Sequence, residues 1–128
     1  MDKVFKGGLC KGMKINLGII GAGNMGTALA KGIIRSGLLS PDRVFVFDID
    51  KAKTLKIKEE TGVKPMDKIE EIIVKCDTLI LAVKPNAVKK VLEPCKNLFS
   101  DEKLLISIAA GVPAGVYKNI LGKNSRII

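Results

Sequence analysis

Histidine and tryptophan are absent from the 128 residues, tyrosine occurs once, and aromatics make up only 4%. Without histidine the commonest side-chain acid–base catalyst is excluded, so any catalytic proton comes from another group or from outside this chain. The three cysteines, Cys10, Cys76 and Cys95, show no C-x-x-C spacing. With no histidine to join them they point away from a metal site and toward a reducing compartment. No stretch of some 18 unbroken apolar residues is present, so no membrane-spanning helix is expected. Residues 1 to 12 carry Lys3, Lys6 and Lys11 but no long apolar stretch, which argues against a secretory signal. Base-stacking aromatics are also missing, and this bears on the charge. The net charge of +9, from 22 basic and 13 acidic residues, invites a nucleic-acid partner. Lysines such as Lys51, Lys53, Lys56, Lys58, Lys89 and Lys90 instead fall on expected helix faces, with no aromatic residues between them. Solvated helix faces, with a general pull on anionic ligands, are the better account.

What the chain does have is aliphatic bulk. Hydrophobic residues make up 47%, dominated by Ile, Leu, Val and Ala, as suits a parallel sheet covered by helices on both faces. At this length one domain is expected. Met13 marks its start, so residues 13–128 form the domain and residues 1–12 a flexible extension. Strand and helix patterns alternate with short connections, which indicates an α/β fold. Strands are expected at about Lys14–Ile20, Arg43–Asp48, Val63–Pro65, Thr78–Val83, Lys103–Ala109 and Arg126–Ile128. Helices are expected at about Asn24–Ser36, Lys51–Thr61, Asp67 (as cap) to Lys75, from Ala87 to an interruption at Pro94, and up to Leu121. Right-handed crossovers between parallel strands give a three-layer, doubly wound sheet of the Rossmann type, order 3-2-1-4-5-6. Ligands of such sheets bind beyond the carboxyl ends of the strands. Here those ends are Gly21 to Gly26, Asp48 to Asp50, Ala82 to Pro85, and Ile108 to Gly111.

The first of these ends carries the most chemistry. Gly18-Ile19-Ile20-Gly21-Ala22-Gly23-Asn24-Met25-Gly26 is an apolar run breaking into a G-x-G-x-x-G turn, with helix-forming sequence behind it. Gly21 permits the tight turn, Gly23 lets backbone approach a pyrophosphate, and Gly26 lets the helix pack closely. Free N–H groups of the first helical turn and the positive end of its dipole then face the anion. Asp48 lies 22 residues beyond Gly26, at the end of the second strand, where an acid accepts ribose hydroxyls. A dinucleotide site follows from strand, turn, helix and acid in that order.

Three segments, GIIGAGNMGTALAKG, LILAVKP and ISIAAGV, occur in sequence at strands one, four and five. Together they resemble the pyrroline-5-carboxylate reductase family over about residues 14 to 128. The resemblance implies a soluble, cytoplasmic, homodimer-forming oxidoreductase of proline biosynthesis. It would transfer a hydride from NADH or NADPH to the C=N bond of a small cyclic imine, with no nucleic-acid or membrane partner. It also implies that these residues are only the cofactor-binding half, the helical half of the family being absent. The phosphate-turn role falls on Ile20, Gly21, Ala22, Gly23, Asn24 and Met25. Ala82, Val83, Lys84 and Pro85 would lie along the nicotinamide half, with Ala110 a further cofactor contact. Members that prefer the phosphorylated cofactor carry small polar or basic residues where this chain has Asp48, so NADH is expected to be favoured, with Lys51 and Lys53 partly offsetting the charge. The family often places an asparagine near Ile69, which cannot make that contact with the adenosine ribose. No catalytic side chain is assigned. A non-catalytic dinucleotide-binding module and a dehydrogenase of the β-hydroxyacid type are the alternatives.

Overall fold

The computed structural model describes residues 15–100, 102–109, 111–122 and 125–128. Lys14, Cys10, Ala110 and the extension expected over residues 1–12 lie outside them. Six parallel strands form one sheet: β1 (Leu17–Ile20), β2 (Val44–Phe47), β3 (Lys64–Pro65), β4 (Thr78–Leu81), β5 (Leu104–Ser107) and β6 (Arg126–Ile127). Their order is β3-β2-β1-β4-β5-β6, the doubly wound order expected from the sequence. The helices between them are α1 (Asn24–Ser36), α2 (Lys51–Thr61), α3 (Ile69–Lys75), α4 (Val88–Leu92) and α5 (Ala114–Leu121).

Alternation along the strands splits the apolar side chains into two layers. Ile19, Val44, Val46 and Ile80 pack with Ala30 of α1 and Ile57 of α2 on one face. Ile20, Phe45, Leu79, Leu81 and Leu105 pack with Ile72 and Ile73 of α3, Val88 and Leu92 of α4, and Tyr117 of α5 on the other. Each fully buried Ile or Leu contributes roughly 1.5–3 kcal/mol. Because both faces are covered, the central strands read as continuous apolar runs.

The strands are shorter than expected. β1 starts at Leu17, because Asn16 is spent on the bottom edge of the sheet: its Nδ2 donates to the Lys75 carbonyl and its Oδ1 accepts from Arg43 Nη1. Asp48 and Val83 fall just outside β2 and β4. Asp67 does not cap α3. Its carbonyl and Oδ1 accept from Lys51 Nζ at 2.8 and 3.3 Å, and Lys68 takes the cap position, its backbone N–H donating to Glu71 Oε1. Beyond α4 the chain tightens into a 3₁₀ segment, Glu93–Leu98, with Pro94 in its first turn. A proline is tolerated there because that N–H has no helical partner.

The register aligns Ile20 with Phe47 on one side and with Leu81 on the other, and Leu81 with Ser107. Four strands therefore end level, and their following turns share one edge of the sheet.

Candidate functional site

That edge is stitched together by backbone. Gly21 N–H donates to the Phe47 carbonyl at 2.8 Å, and Ala82 N–H to the Ile20 carbonyl at 2.8 Å. Gly21 has φ +110°, a conformation that suits glycine, and a Cβ there would lie 2.6 Å from the Ala82 carbonyl oxygen. A Cβ on Gly26 would lie 2.0 Å from the Gly21 carbonyl oxygen, so α1 begins against the turn that precedes it. Gly23 differs: nothing lies within 4 Å of a Cβ built on it. Its bareness serves no packing inside the chain; it leaves open the space above the turn. Thr27 closes the turn from the helix side, its N–H donating to the Gly23 carbonyl at 2.9 Å and its hydroxyl to the Ala22 carbonyl at 3.3 Å.

Two cavities flank the turn. The first, of about 340 Å³, is lined by Ile20, Gly21, Gly23, Phe47, Asp48, Ile49, Ala82, Val83 and Lys84, with Lys53, Asn86, Ala87 and Val91 completing the wall. The second, of about 690 Å³, is lined by Ala22, Gly23, Asn24, Thr27, Ala28 and five charged residues, Lys31, Lys53, Lys56, Glu60 and Lys84. The first is a mostly apolar slot suited to a flat ring system, the second a basic hollow suited to anions. Of the residues singled out from sequence, Ile20, Gly21, Ala22, Gly23, Asn24, Asp48, Ala82, Val83 and Lys84 line one or both. Met25 and Pro85 line neither, although Met25 is 60% exposed beside the turn.

Asp48 is engaged more fully than its sequence position suggested. Its Oδ2 accepts from Ala22 N–H at 2.7 Å and its Oδ1 from Asp50 N–H at 2.9 Å. The carboxylate thus ties the glycine turn to the start of α2. Each oxygen retains one acceptor position, enough for two hydroxyls.

Several residues at this edge were not anticipated. Ile49 is 88% exposed at the mouth of the apolar slot, and Asn86, Ala87 and Val91 form its far wall. Lys53 and Lys56, read from sequence as solvated, face the basic hollow, as does Lys31, which pairs with Glu60 at 3.1 Å. The i, i+3 spacing of Lys53 and Lys56, and Asn24, Thr27 and Lys31 on one stripe of α1, carried that signal.

No acid–base or nucleophilic group with a helpful pKa stands at the edge. Burial pushes the Cys76 thiol up to about 12, partly opposed by Lys103, and the Cys95 thiol up to about 11. Both lie in the core, so neither offers a thiolate. Among the described residues no group of three or more His, Cys, Asp or Glu is arranged to hold a metal ion. Nor is any helix among them long and apolar enough to cross a membrane.

Residues 16–111 match the family model described as NADP oxidoreductase, coenzyme F420-dependent. The chain is 38% identical over 112 residues to pyrroline-5-carboxylate reductase of Methanosarcina acetivorans, covering 88% of this chain and 42% of that protein. It is 32% identical over 116 residues to the Escherichia coli reductase, covering 91% and 43%. A solved pyrroline-5-carboxylate reductase from Coxiella burnetii superposes with a TM-score of 0.84 at 33% identity, covering 90% of this chain and 43% of that one. The Plasmodium falciparum pyrroline carboxylate reductase with NADP bound gives 0.78 at 32% identity, covering 89% and 40%. The chain thus spans less than half the length of these relatives.

Proposed function

The chain belongs to the family of NADP oxidoreductases described as coenzyme F420-dependent, and on that premise we propose that it is the dinucleotide-binding part of a pyrroline-5-carboxylate reductase. Residues 13–128 form this domain. The observation that carries the proposal is the bare Gly23, where backbone is open to both cavities and a Cβ has nothing of the protein to meet. A pyrophosphate lying on the turn fits that opening, with the N–H groups of the first turn of α1 directed at it. The NADP-bound Plasmodium relative supports the same class of ligand.

A reduced nicotinamide supplies the hydride that a C=N carbon accepts. This chain's residues bind and orient. Ile20, Gly21, Ala22, Gly23, Asn24 and Met25 hold the diphosphate; Ala82, Val83, Lys84, Pro85 and Ala110 border the nicotinamide half and keep water from it. Asp48 holds the adenosine ribose with its two remaining acceptor positions. Its negative charge favours NADH over NADPH, since a 2′-phosphate would approach a carboxylate. The substrate is a small cyclic imine, and a protonated imine accepts hydride without a strong protein acid, which suits a chain without histidine. The whole enzyme is a cytoplasmic homo-oligomer acting without nucleic acid or membrane.

Titration of the 128-residue protein with NADH and NADPH, beside an assay of imine reduction, tests this. Saturable binding of both, tighter for NADH, is expected. Folded protein that binds neither refutes the assignment, and tighter NADPH binding refutes the stated preference. Binding without turnover favours the second reading, a non-catalytic module, for the chain acting by itself; the missing side-chain acid is what keeps that reading in view.

A further inference from the structure

The basic hollow is larger than a diphosphate on the glycine turn requires, and the lysines around it are not equivalent. Lys51 is spent elsewhere, its Nζ donating to the Asp67 carbonyl and carboxylate. Lys31 is paired with Glu60. Among the described residues no ion pair engages Lys53, Lys56 or Lys84. Of these three, Lys53 and Lys84 border both cavities, and they straddle the turn: Lys53 follows β2, on the Asp48 side, and Lys84 follows β4, on the opposite side. Lys56 lies one helical turn beyond Lys53, within the hollow alone.

Asp48 has its Oδ2 held by Ala22 N–H and its Oδ1 by Asp50 N–H, so the carboxylate is fixed toward the turn and the start of α2. A ribose held there directs a substituent on its 2′ oxygen over α2, where the hollow opens. A phosphate monoester carries about −1.5 to −2 charges, which one carboxylate would repel and two unpaired ammonium groups would more than balance.

We propose that Lys53, backed by Lys56, forms a subsite for a phosphate on the adenosine ribose, so that Lys53 sets how far NADPH is disfavoured against NADH. This rests on the dinucleotide reading above and deepens it. Lys84, on the other side of the turn, serves the diphosphate common to both cofactors and does not discriminate.

The experiment is equilibrium titration of NADH and NADPH with the wild-type chain and with Lys53→Ala, Lys84→Ala and Lys51→Ala. Competition by AMP and by adenosine 2′,5′-bisphosphate isolates the phosphate from the nicotinamide half. All three side chains are exposed, so the variants are expected to fold. Lys53→Ala should weaken NADPH and the bisphosphate roughly tenfold, as for loss of one charge-assisted contact, and leave NADH and AMP within about twofold. Lys84→Ala should weaken NADH and NADPH by the same factor, and Lys51→Ala should change neither. Equal losses of both cofactors in Lys53→Ala, or no loss, overturn the subsite while NADH binding by the wild type keeps the dinucleotide reading intact. A wild type that binds no NADH overturns both.

Discussion

Gly21, Gly23 and Gly26 look equivalent in the motif, yet the structure gives them different physical tasks. At Gly21 and Gly26 a Cβ collides with backbone of the chain itself, whereas at Gly23 it meets only open space. Gly26→Ala should therefore destabilise the folded chain by about 2–4 kcal/mol, because the 2.0 Å clash is with a carbonyl oxygen that no rotamer change relieves. Gly23→Ala should leave the denaturant midpoint almost unchanged, since φ there is −77°, and still weaken dinucleotide binding at least about tenfold by standing in the diphosphate's path. Chemical denaturation beside cofactor titration separates the two. A Gly23→Ala chain that binds NADH normally would remove the turn from the site. Asp48 belongs to this scale as well. Its position as an acid 22 residues past the motif was legible in the sequence, but its bond to Ala22 N–H was not, because that bond depends on β1 and β2 ending level.

Among the elements, α5 shows how a helix remote in sequence shapes the edge. Tyr117 is buried, and its hydroxyl shares a hydrogen bond with Ser107 Oγ at the end of β5. Ser107 Oγ also accepts from Ala109 N–H at 3.3 Å, so the helix, the strand end and the following turn are held through one hydroxyl. Tyr117→Phe should cost about 1 kcal/mol in thermal or denaturant unfolding. Amide exchange should quicken in residues 108–112 more than in β1 or β4. Uniform protection across these segments in the variant would show that Tyr117 acts by packing alone. Helix and strand positions were legible here because apolar period and turn residues are local signals. The ends were less so: Asp67 reads as a cap in sequence, but it accepts from Lys51, a partner set by how α2 lies against the chain after β3.

At the scale of the whole molecule, charge is the governing property. A net +9 with a basic hollow at the ligand edge should speed the encounter with dinucleotides, which are anions. Association rates for NADH should fall as salt is raised from about 20 to 500 mM, as screening shortens the reach of the field. The fall should be steeper for NADPH, which carries the extra phosphate. Stopped-flow fluorescence at several salt concentrations measures both slopes, and equal slopes would mean that no local cation senses the 2′ position. The absence of aromatics among the lysines already set nucleic acid aside, and the structure gathers some of those lysines at the dinucleotide edge rather than along an open face.

From the residues alone came the alternation of strand and helix, the strand order, the glycine turn and the acid at the end of β2. These follow from short-range chemistry: side-chain period, φ freedom and turn preference act over a few residues and are written in sequence order. Only the tertiary structure decided which lysines are committed and which stand open. It alone decided that Asp48 clamps the turn, and that Gly23 is bare for something outside the chain. Those outcomes depend on segments far apart in sequence meeting at one edge, and the register of the parallel strands, through long-range packing on both faces, determines which side chains meet there.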